Sequence, residues 1–80
     1  MKKYYFTFGQ SHKNIQGEEM KDFYVIVHAS DYGSARELFI EWSSIHLSEK
    51  NQWAFQYEEK DFNKSLYPKG AYETIFEEQI

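Results

Sequence analysis

Cysteine is absent, which excludes disulfides, thiolate zinc sites and thiol catalysis. A long apolar run is also missing: the longest is Phe23-Tyr24-Val25-Ile26-Val27, far short of the roughly 18 residues of a membrane helix. No apolar stretch that could serve as a signal peptide follows Lys2 and Lys3, so the expected setting is the cytoplasm, away from membranes. Proline occurs once, and the glycines at 9, 17, 33 and 70 stand apart, so no Gly-rich phosphate loop exists. Excess positive charge is lacking as well. A net charge of -4 argues against nonspecific duplex binding, which relies on a basic face to release counterions.

What the chain does have is rings: seven Phe, seven Tyr and two Trp among 80 residues. A chain this short makes one small domain, expected over 1–80. Ordering it costs on the order of 1.5 kcal/mol per residue, and no crosslink is present to help. Aromatic side chains bury about 150–250 Å² each, so they are expected chiefly in the core.

The pattern along the chain predicts an α+β fold in the order β-β-α-β-β, a three- or four-stranded antiparallel sheet with one amphipathic helix on one face. Alternation from Lys3 to Phe8 assigns Tyr4, Phe6 and Phe8 to the core, with Lys3, Tyr5 and Thr7 opposite. Phe23 to Ala29 is apolar on both faces, as a central strand would be. Ser30-Asp31 offers an N-cap for a helix over 31–46, whose inner face carries Ala35, Leu38, Phe39, Trp42 and Ile45 or His46. Trp53 to Tyr57 reads as a third strand with its rings on one face. Glu58 to Phe62 suits a single helical turn, and Pro68-Lys69-Gly70 a β-turn. Ala71 to Phe76 then forms an edge strand, with Glu77 and Glu78 discouraging pairing with other chains.

Candidate chemistry is sparse. His12, His28 and His46 lack the spacing that would let two share a metal ion, and every carboxylate falls in a polar or charged stretch. Ser11 and His12 are adjacent, but no nucleophile-elbow motif accompanies them. Neither catalytic residues nor a metal or other cofactor is expected. Two binding surfaces are expected instead. The connection from Gly9 to Asp22 is longer than a hairpin needs; its His12 and Lys13 can donate hydrogen bonds, and its Ile15 and Met20 can enter a groove. The segment from Glu58 onward carries a charge of -3, and its Glu58, Glu59 and Asp61 would steer a basic partner. An alternative is a single-stranded nucleic-acid binder that stacks bases on an open sheet face holding Tyr5, Tyr24 and His28, beside Lys3. The acidic balance and the missing RNA-recognition strand motif count against direct nucleic-acid binding.

The strings Tyr5-Phe6-Thr7-Phe8-Gly9, Trp53-Ala54-Phe55-Gln56-Tyr57 and Tyr67-Pro68-Lys69-Gly70 resemble a family of small phage and prophage proteins of Gram-positive bacteria. A strand ending at Ala29 and a helix carrying Ala35-Arg36 add to the likeness. The resemblance implies a phage accessory gene, and such genes often encode compact inhibitors. With no catalytic residue expected, the reading is a non-enzymatic phage accessory protein that binds and inhibits a host protein. A nucleic-acid-handling defence effector fits as target, by analogy with anti-CRISPR and other anti-defence proteins. It carries no catalytic or binding residue over to this chain.

Overall fold

A computed structural model describes residues 1–9, 12–47 and 55–77. Four strands, β1 (Lys2–Thr7), β2 (Phe23–Ala29), β3 (Phe55–Glu58) and β4 (Gly70–Phe76), form one sheet in the order β3-β1-β2-β4. Among the described residues a single α-helix, α1 (Tyr32–His46), packs on one face. The fold is α+β as the sequence pattern predicts, with one correction. β1 pairs antiparallel with both β2 and β3, but β4 runs parallel to β2, so the sheet is mixed. The physical cause is the segment 59–69, which carries the chain back across the sheet before β4 begins. The Lys69 N–H donates to the Asp22 carbonyl at 3.2 Å, so β4 starts beside the start of β2. Gly70 closes the turn by donating its N–H to the Tyr67 carbonyl, at a φ of 80° that favours glycine.

The helix-side core follows from strand alternation. Tyr4, Phe6, Phe8, Val25, Val27 and Ala29 point toward Ala35, Phe39 and Trp42, and Met20 and Leu47 complete the cluster. Asp31 is the N-cap: its Oδ1 accepts from the Ser34 N–H at 2.8 Å. That bond favours the charged carboxylate and holds Asp31 below its usual pKa. Ser30 has another job, donating its N–H to the Glu77 carboxylate at 2.8 Å. Glu77 therefore fastens β2 to the end of β4; Glu78 lies outside the described residues.

At the helix C-terminus His46 stacks on Trp42, while Ile45 is 63% exposed. Helical geometry explains the choice. Around the axis His46 falls about 20° from Phe39, and Ile45 about 120° away. Trp53, expected in the third strand, lies outside the described residues; the described part starts at Phe55. The short helical turn appears as a 3₁₀ turn over Glu59–Asp61, followed by a second over Lys64–Leu66.

The second face of the sheet is the larger departure from expectation. Tyr5, Thr7 and Tyr24, which alternation turns away from the helix, are buried. Phe62 stacks on Tyr5 at 4.2 Å between centroids and meets Tyr24 edge-on at 4.9 Å, and Tyr67 stacks on Phe62. The open aromatic platform of the nucleic-acid reading is therefore covered. Two rings from segment 59–69 build a second small core there.

Candidate functional site

The connection between β1 and β2 is ordered around a buried asparagine. Asn14 Oδ1 accepts from the N–H groups of Gln16 and Glu18, and Nδ2 donates to the Glu18 carboxylate and to the Tyr72 hydroxyl. Its backbone N–H donates to the Glu18 carbonyl, and its carbonyl accepts from Gly17. Gly17 permits the tight turn at a φ of 85°. Short polar side chains bond backbone groups two or more residues on in this way. The Asn14-to-Gly17 spacing was the available signal for it, but the tie to Tyr72 on β4 is visible only in three dimensions.

The four connector residues singled out from the sequence separate under this arrangement. His12 is half-buried, and its Nδ1 accepts from the Gly9 N–H at 2.9 Å. Lys13 is exposed and its backbone bridges to Glu19. Met20 is fully buried in the helix-side core, so its expected role as an apolar insert for a partner is corrected: the chain itself uses it, because the connector folds onto the helix end. Ile15 is the reverse case, 65% exposed. The Ile15 N–H donates to the His46 carbonyl at 3.2 Å, which sets the exposed Ile15 against the last helical turn, where Ile45 is exposed too. Two branched apolar side chains thus stand in water on hydrogen-bonded elements.

The acidic residues occupy the far end of β1. Glu58 lies opposite Tyr4, and Glu59 pairs with Lys3 at 3.6 Å. Glu58 also pairs with Lys60 at 3.7 Å, while Asp61 is exposed. Local lysines thus offset part of the steering field expected of these acids. Burial first, then the charges of Glu58 and Asp31, raise the Tyr4 pKa above its ordinary value. Lys3 is also raised, first by the adjacent Tyr5 phenol; burial opposes this, and Glu59 adds to it. The connector leaves the C-terminal end of β1 and packs toward β4, whereas Glu58 and Glu59 flank its N-terminal end on the β3 side. The two expected surfaces therefore lie at opposite ends of β1.

Open grooves border this sheet among the described residues. One, of roughly 600 Å³, has Lys3, Tyr4, His28 and Glu59 among its walls. Another, of roughly 380 Å³, runs past Thr7, Tyr57 and Tyr67 to the exposed side chains of Phe55 and Leu66. His28 stacks on Phe76 at 4.6 Å and 5° from parallel. Among the described residues no three His, Asp or Glu side chains gather to hold a metal ion, and no helix is long and apolar enough to cross a membrane. No family model, no curated protein and no solved structure matches this chain.

Proposed function

We propose that this chain is a non-enzymatic phage accessory protein that binds and inhibits a host protein in the host cytoplasm, with a nucleic-acid-handling defence effector as the target class. The observation that supports a protein partner is the exposed pair Ile15 and Ile45. Both are held by backbone hydrogen bonds of a connector and a helix rather than carried on a free tail. Apolar side chains presented on a rigid scaffold lose little freedom on docking, and their removal from water favours association. Lys13, on the same connector, supplies a polar rim to such a contact.

The test uses the intact protein as bait against host lysate, with and without nuclease, beside an Ile15→Asp/Ile45→Asp variant. Both positions are exposed, so the variant should keep its thermal transition. The reading expects a host protein that survives nuclease treatment with the native bait and is lost with the variant. Equal recovery by both baits would sink it.

A further inference from the structure

On the second face of the sheet, segment 59–69 supplies a flat ring and, three residues earlier, a carboxylate. The Phe62 ring lies on Tyr5 with 4.2 Å between centroids and 7° between planes, the way a base lies on an aromatic platform. The Glu59 carboxylate meets Lys3 Nζ at 3.6 Å. Lys3 and Tyr5 share a face of β1, with Nζ 5.8 Å from the Tyr5 ring centroid. Tyr24 and Tyr57 flank Tyr5 from the neighbouring strands. A stacked ring joined to an anion is the chemical outline of a nucleotide.

We propose that Lys3, Tyr5, Tyr24 and Tyr57 form a binding site for a nucleotide unit, which segment 59–69 covers by standing in for that ligand. A second observation points the same way. The Thr7 hydroxyl is buried on this face without a hydrogen-bond partner, and the Tyr5 hydroxyl has only the Lys3 ammonium beside it. Phe62 offers them nothing, whereas a base carries donors and acceptors on its edges.

The side chains of the cover hold it chiefly through its rings and one ion pair. Of its side chains from Glu59 to Leu66 only Phe62 is drawn in, the others being exposed, and Tyr67 adds the second ring. Opening would free Lys3 from Glu59 at the same moment as it bares Tyr5. A ligand with both a ring and an anion replaces both contacts, while an uncharged ring replaces one. Because the ligand binds only the opened form, its apparent affinity falls by the fraction of molecules that are open.

The experiment titrates adenosine monophosphate and, separately, a short labelled oligothymidylate at low salt into the native protein and a Glu59→Gln/Phe62→Ala variant. The two ligands distinguish a free nucleotide from a single strand. The variant should bind at least one of them about tenfold more tightly than the native protein. Adding Tyr5→Leu to it should abolish the gain. A folded variant that binds neither ligand, or a gain that survives Tyr5→Leu, overturns the proposal. Should the variant not fold, amide hydrogen exchange on the native protein decides. The amides of 59–67 should exchange at least about tenfold faster than those of β1 and β2, and slow when adenosine monophosphate is added. Protection equal to that of β1, or exchange indifferent to the nucleotide, overturns it.

Discussion

Phe6 on β1 and Phe39 on α1 stack face to face, with ring centroids 4.3 Å apart and planes 3° from parallel. Both are fully buried, and Phe39 also touches Phe8 and Trp42. This pair joins helix to sheet at the centre of the larger core. Phe39→Ala should therefore cost about 3–5 kcal/mol, the transfer term of a buried ring plus the cavity it leaves. For a domain whose whole stability is of order 5–15 kcal/mol, urea unfolding should show a much lower midpoint. An unchanged midpoint would mean that the helix does not pack as described.

Asn14→Ala should leave the Gln16 and Glu18 N–H groups and the Tyr72 hydroxyl without their present partner. The expected loss is about 1–3 kcal/mol, read as a lower midpoint in denaturant. Faster amide exchange at Gln16 and Glu18 would place the effect in the connector. A variant as stable as the native protein would show that water replaces the asparagine without cost.

Asp31 makes a pH-dependent contribution whose sign is set by its lowered pKa. The charged carboxylate caps the helix through the Ser34 N–H, so the folded state holds its proton less tightly than the unfolded chain does. The contribution is present above the unfolded value of about 3.9 and is lost as pH falls through the lower folded value. Asp31→Ala should lower Tm by several degrees near neutral pH. The gap between the two proteins should narrow below about pH 4. Melting curves of both across that range check it, and a gap independent of pH would refute it.

Thr7→Val tests the second core directly. The Thr7 hydroxyl is buried without a partner, so a methyl of similar shape should remove a desolvation cost and raise stability by about 1 kcal/mol. Destabilisation, measured in denaturant, would mean that this hydroxyl is satisfied in solution.

Local rules made much of this protein legible in its sequence. The period-2 pattern of Tyr4, Phe6 and Phe8 and the 3.6-period pattern of Ala35, Phe39 and Trp42 name the faces of the larger core. Asp31 reads as a cap because capping needs only a short acceptor before the first turn. The candidate site was less readable. Ile15 was identifiable as an apolar residue in a polar connector, but the same description fits Met20, and one is exposed while the other is buried.

Tertiary structure decided the rest. Whether Tyr5 and Tyr24 face water depends on Phe62, 57 positions after Tyr5 and 38 after Tyr24, and no local periodicity carries contacts over that span. The parallel pairing of β4 depends on the path of segment 59–69, because strand direction follows from where a connection delivers the chain. The separation of Ile15 from Glu59 likewise follows from strand order, which places β3 and β4 on opposite edges. Alternation and helical period specify which side of an element is apolar; only the folded chain specifies what lies against that side.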